Sequence, residues 1–224
     1  MTISTEDLLN SIMQSFDRIA YIKSEDIPNI DLYMDQVTTF MDKRMKSTTR
    51  YPETDKILTK TMINNYAKND LLPPPVKKKY AKEHLLILIF IYYFKSILSI
   101  SDIQELLHPL TETFFAGENE LKLTEIYDKV FSLRDEQVES LKQRVTEAYT
   151  KSQGAFTEAN EEDREFLQQF TFICMLSFDV YTKKLLIEKM IDDMRQKRLE
   201  KESANGKTAN VKSGKEKPAK NKSE

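Results

Sequence analysis

Apolar residues recur along most of this chain at three- and four-residue steps, the period of an α-helix, and alternation of period two is almost absent. Near the start, Leu8, Leu9, Ile12, Phe16 and Ile19 mark a short amphipathic helix, with Ser4 or Thr5 placed to cap it and Pro28 to stop it. Leu32, Met34, Val37, Phe40 and Met41 form the next stripe and predict a helix from Leu32 to Met45. Lys46 to Asp55 is polar, contains Pro52 and reads as a loop. Over Leu58 to Lys68 one helical face carries Leu58, Met62, Ile63, Tyr66 and Ala67, and the other carries Lys60, Thr61, Asn64, Asn65 and Lys68. Leu85 to Phe94 is apolar all round, which predicts a helix buried on most sides. It is too short for a bilayer, which needs about 20 residues.

Further on, Ser101-Asp102-Ile103-Gln104 has the form of a capping box opening a short helix through Ile103, Leu106 and Leu107. The polar break at Gly117 marks a domain boundary. Beyond it, Leu123, Ile126, Val130, Leu133, Val138, Leu141, Val145 and Tyr149 predict a long amphipathic helix, broken at Ser152-Gln153-Gly154. A second long helix opens at Glu161-Glu162-Asp163, as the helix dipole favours, and turns Phe166, Phe170, Ile173, Leu176, Val180, Ile187, Ile191 and Met194 inward. The aromatic residues of this stretch serve as plain core or line an effector pocket for an unidentified small molecule. Two such helices form an antiparallel pair with too little core to stand alone, so a homodimer is expected. After Lys201 the chain lacks aromatic and, save Val211, large aliphatic residues, and reads as a disordered basic tail.

Charge sharpens this picture. The net charge over 224 residues is −2, but Lys43 to Lys82 carries eleven basic and three acidic residues and Arg195 to Glu224 ten and four, leaving an acidic remainder. A basic segment in an acidic chain is the electrostatic footprint of a nucleic-acid reader, because phosphate contact comes from clustered lysine and arginine. The polar face of the Thr59 to Lys68 helix has matching chemistry. Asparagine pairs with adenine edges, and threonine and lysine reach phosphate. Pro73, Pro74 and Pro75 then form a stiff extended arm leading to Lys77, Lys78, Lys79 and Tyr80, a basic tip suited to phosphates.

Catalytic and cofactor chemistry finds little footing. The four glycines all lie at or after Gly117, which excludes glycine-built phosphate loops from the first 116 residues. One cysteine, Cys174, and two histidines, His84 and His108, cannot build a disulfide framework or a Cys/His zinc cage. No catalytic residue, metal or cofactor is expected, and the acidic start without an apolar signal segment points to a cytoplasmic protein away from membranes.

The run Thr59 to Leu107 resembles the DNA-binding head of the MerR-type regulators. Ile63-Asn64-Asn65-Tyr66 stands where those proteins have Leu-Arg-Tyr-Tyr, Leu71-Leu72-Pro73 matches the turn, Lys77 to Tyr80 the wing, and Leu98 to Ile103 the last element. Asn64 and Asn65 replace an arginine and a tyrosine, Asp70 replaces the glycine usual before the leucine pair, and roughly Lys46 to Lys56 is an insertion. The stretch from Asp31 through Leu110 is similar to the bacterial family known as domain of unknown function 1836, a similarity covering most of residues 25–150.

The helical periods and the resemblance together give an all-α chain, with an N-terminal helix over 1–24 from the periods and a MerR-like winged helix-turn-helix domain over 25–116 as the resemblance implies. A two-helix dimerisation or effector region over 117–200 and the disordered basic tail over 201–224 complete it. The resemblance also implies a dimeric regulator of transcription that binds double-stranded DNA through Lys60, Thr61, Asn64, Asn65, Tyr66, Lys68, Lys77, Lys78, Lys79 and Tyr80. The alternative is a helical adaptor that keeps the winged scaffold without binding DNA and works through its acidic C-terminal half.

Overall fold

In the computed structural model the periodicities resolve into helices joined by short turns. It describes residues 7, 9–11, 13, 14, 21–117 and 119–212, with the backbone alone at 135, 136 and 205–212. Strand β1 (Leu32–Tyr33) runs straight into helix α1 (Met34–Met45). Helix α2 (Lys60–Lys68) follows the polar loop, and strand β2 (Lys79–Tyr80) follows the proline arm. Then come α3 (Lys82–Phe94), α4 (Ile100–Phe114), α5 (Leu123–Gln153) and α6 (Glu161–Lys212). The fold is mostly helical. Its two strands pair antiparallel, with Leu32 opposite Tyr80 and Tyr33 opposite Lys79.

Two predicted helix starts move. The helix expected from Leu32 begins at Met34, because Leu32 and Tyr33 are drawn into the ribbon and the Tyr33 amide donates to the Gln36 side chain at 2.8 Å. The expected cap at Ser101 is Ser99, whose hydroxyl accepts from the Asp102 amide at 3.1 Å. Starting two residues earlier lets α4 bury Ile103 and Leu107 on one face.

The core is centred on α3, which buries His84 through Ile91 without interruption. Each aliphatic side chain there contributes about 2 kcal/mol by leaving water. Packing does not stop at Gly117. Leu123, Tyr127 and Phe131 of α5 and Ile191 of α6 belong to the same buried cluster as α1 to α4. The Tyr127 hydroxyl donates to the Ile22 carbonyl at 2.5 Å, and Ser24 bonds Asp128 through both its amide and its hydroxyl. Gly117, at φ +72, is thus a turn inside one packed body.

Helices α5 and α6 pack along each other, with Val145 and Phe172 in a second, smaller cluster. Leu9 from the N-terminal segment completes that cluster, with Met13 beside it. Residues 7, 9–11, 13 and 14 are helical, while Leu8, Ile12, Phe16 and Ile19 lie outside the described residues. Most of the stripe expected to face inward on α6 does not. Phe166 is 65% exposed, Val180 61% and Phe170 and Ile173 each 54%, whereas Phe172 and Ile191 turn inward. This helix is apolar on more than one side, and periodicity alone cannot choose which side α5 covers.

At its far end α6 reaches α4. Arg198 grips Glu105 with two bonds of 2.9 and 2.8 Å, and Arg195 reaches Asp102 at 3.1 Å. Hydrogen bonds from Ser99 and then Arg195 hold the Asp102 carboxyl below its usual range against burial, and Arg198 does the same for Glu105. The helix then continues to Lys212, past the Lys201 where the disordered tail was expected to begin. Lysine, glutamate and alanine are good helix formers, and Arg198 pairs with Glu202 one turn on. Residues 213–224 of that tail lie outside the described residues.

Candidate nucleic-acid interface

Helix α2 is built as a short presented element. Thr59 caps its start, the hydroxyl accepting from the Met62 amide at 3.1 Å. Its end is a Schellman turn, with the Leu71 amide bonding the Tyr66 carbonyl at 2.9 Å and the Asp70 amide bonding the Ala67 carbonyl at 3.4 Å. Asp70 adopts φ 54 there, doing at some steric expense what glycine does freely. Leu71 and Leu72 drop directly into the core. With both ends tied and Ile63 buried, the opposite face, Lys60, Thr61, Asn64, Asn65 and Lys68, is exposed.

The segment expected to form the wing is a two-residue hairpin. Val76 and Lys79 exchange both backbone bonds, at 2.9 and 3.1 Å, and the two residues between them, Lys77 and Lys78, sit at φ 51 and φ 64. Positive φ at both central positions is the I′ turn, whose twist suits a hairpin and whose usual occupants are asparagine and glycine. Here both are lysines, exposed and in no ion pair among the described residues. The turn therefore carries roughly 1–2 kcal/mol of backbone strain per lysine.

Residues 33–35 join these two parts. Lys60, the first residue of α2, is ion-paired with Asp35. Lys79, at the base of the wing, lies with its ammonium 5.3 Å from the centre of the Tyr33 ring. Two residues of one segment thus hold the start of α2 and the root of the wing side by side. Neither periodicity nor charge singles out Tyr33 or Asp35; the signal for Tyr33 is its register opposite Lys79, which only the strand pairing reveals.

Two predicted contact residues are not at this surface. Tyr66 and Tyr80 are buried, 6% and 3% exposed, and burial raises both phenol pKa values. Tyr66 falls on the same helical face as Ile63, and Tyr80 points inward from the ribbon because Lys79 points out. The Tyr80 ring meets the edge of His84, 5.3 Å between centres, and His84 meets Phe115 at 4.8 Å. His84 Nδ1 accepts from the Ala81 amide at 2.9 Å, which caps α3 and fixes the proton on Nε2. Burial lowers the His84 pKa, with the Pro74 and Pro73 carbonyls and Glu83 acting weakly the other way.

Residues 22–130 match the family described as Domain of unknown function (DUF1836). The matched region holds the ribbon, α1 to α4, both parts of the basic surface and the first turns of α5, and it ends just before Phe131. No curated protein and no solved structure matches the chain. Among the described residues, no group of three His, Cys, Asp or Glu side chains is placed to hold a metal ion, and no helix is long and apolar enough to cross a membrane.

Proposed function

We propose that this protein is a DNA-binding regulator of transcription of the MerR-like winged helix-turn-helix kind, acting as a homodimer. The observation that carries the reading is the junction at Tyr33 and Asp35, which sets the polar face of α2 beside a strained wing tipped with lysine. Lys60, Thr61, Asn64, Asn65 and Lys68 offer donors and acceptors to base edges and phosphates in a major groove. Lys77 and Lys78 clamp a flanking phosphate backbone. Strain kept at a turn that glycine would relieve is more simply explained by use of the side chains than by folding.

The second copy belongs on α6. Phe166, Phe170, Ile173, Val180, Tyr181 and Met190 form an exposed apolar row far longer than a soluble helix leaves open when it is alone. An isologous pairing of two α6 helices covers it and sets two basic surfaces at a fixed spacing. Light scattering at micromolar concentration should give twice the chain mass, falling to one chain in Phe170→Glu/Ile173→Glu.

The deciding experiment is a fluorescence-anisotropy titration against pooled fragments from upstream of the protein's own coding region at two salt concentrations. Saturable binding that weakens steeply with salt and in Lys77→Ala/Lys78→Ala/Lys79→Ala supports the reading. No binding at either salt overturns it. That result favours the adaptor reading, for which the lack of any arginine in α2 and the open α6 face speak.

A further inference from the structure

One ammonium near the end of α3 is half-buried and paired with no carboxylate among the described residues. Lys95, at the C-terminal end of α3, turns inward; its Nζ donates to the Ile57 carbonyl at 2.8 Å and lies 4.8 Å from the Tyr92 ring centre. It makes no ion pair among the described residues, in contrast to Arg195 and Arg198. Burial lowers its pKa, so the protein bears the desolvation of this charge with only a carbonyl dipole and a ring face in return.

Beside Lys95 opens a cavity of about 490 Å³ between the end of α3 and the 46–56 loop. Its size is that of a small-molecule site. Lys56 supplies a second cation on its wall and Asp55 the single carboxylate, whose Oδ2 already accepts from the Tyr51 amide at 3.0 Å. The rings of Tyr92 and Tyr93, 5.8 Å apart and edge to face, form an apolar wall. That wall is fixed. The Thr48 hydroxyl donates to the Met45 carbonyl at 2.6 Å, so Tyr92 must be the donor in its 2.6 Å bond to Thr48.

We propose that this cavity is a binding site for a small organic carboxylate, whose anionic head is taken by Lys95 and Lys56 and whose apolar body lies against Tyr92 and Tyr93. The balance of two cations and one carboxylate matches a monoanion, whereas a phosphate dianion would bring its second charge against Asp55. An aromatic acid gains most, from the two ring walls. The ligand also reaches the DNA-facing helix, because Ile57, held by Lys95, stands two residues before Thr59, the cap of α2. Binding itself stands whether or not the protein binds DNA.

The test is isothermal titration of the full chain with sodium benzoate, hexanoate, phenyl phosphate and inorganic phosphate at constant ionic strength. Benzoate should saturate at one site per chain and bind more tightly than either phosphate. Lys95→Met should weaken it by about tenfold, the usual worth of a charge-assisted hydrogen bond. Lys56→Met, an exposed change with no structural bond to lose, should weaken it severalfold in a chain with an unaltered circular dichroism spectrum, and Lys77→Ala should leave it unchanged. No saturable heat from either carboxylate overturns the proposal. So does tighter binding of phosphate, or benzoate affinity that is the same in both methionine variants as in the parent chain.

Discussion

Replacing Lys77 and Lys78 by Asn and Gly pits folding against function at one turn. Both lysines sit at positive φ, where an L-residue with a Cβ is disfavoured by about 1–2 kcal/mol. Asn tolerates that region and Gly has no penalty there, although Gly gives back roughly 0.5–1 kcal/mol through the freedom it gains in the unfolded chain. The double variant should therefore be more stable by about 1 kcal/mol, or several degrees in Tm for the domain that contains it. Neither side chain forms an ion pair among the described residues, so no pairing is lost to offset the gain. DNA affinity should move the other way. Each phosphate contact contributes about 0.9 to the slope of log K against log salt, so losing two should flatten that slope by roughly 1.8. Thermal denaturation and anisotropy on the same preparation read both quantities. Loss of stability would refute the strain argument. An unchanged salt slope would refute the assignment of the lysines to phosphate.

Other sites give independent checks. His84 has a lowered pKa in the folded chain, so below about pH 6.5 the unfolded state binds more protons and stability falls with pH, by at most about 1.4 kcal/mol per unit. His84→Gln keeps an acceptor for the Ala81 amide and should abolish that fall in urea titrations run between about pH 5 and 7. Tyr127→Phe should cost about 1–3 kcal/mol in the same assay, because it strands the buried Ile22 carbonyl; a cost below about 0.5 kcal/mol would show that water replaces the hydroxyl. Glu105→Gln should speed amide exchange in α6 from about Asp193 onward while leaving α3 protected, since Arg195 and Arg198 both close on Glu105. Because the hydrogen bond from Arg198 depresses the Glu105 pKa, the same loosening should occur in the parent chain only at a pH below that at which an ordinary glutamate protonates.

The helices from α1 to α4 are legible because each is apolar either on one face or, as in α3, all round. Ile63, Tyr66, Leu85 to Ile91, Ile103 and Leu107 are buried at the spacing that predicts them. The exposed face of α2 follows from the same arithmetic, which also sets Tyr66 on the buried face; the contacts implied by the MerR resemblance at Tyr66 and Tyr80 are the ones the structure removes, since both side chains are buried. The ribbon leaves no trace in the pattern, since two residues per strand make no period, and Tyr33 is hidden with it. The α6 face was misassigned for the opposite reason. A helix with apolar residues on two sides offers periodicity two valid answers, and only the position of α5 selects between them. The cavity at Lys95 is invisible in sequence because its walls come from two distant stretches, Thr48 to Lys56 and Tyr92 to Ser96.

The contacts of the N-terminal segment impose an order on how the chain is made. Ser24 and Ile22 find Asp128 and Tyr127 about a hundred residues later, at separations of 104 and 105, and Leu9 closes on Val145 and Phe172. A ribosome adding roughly 5–20 residues per second takes some 5–20 s to travel that distance. During that interval β1 through α4 can collapse around α3, but Leu9, Ile22 and Ser24 lack these partners. They are made before the helices that hold them, so the docking of Leu9, Ile22 and Ser24 reports on the completion of α5 and α6.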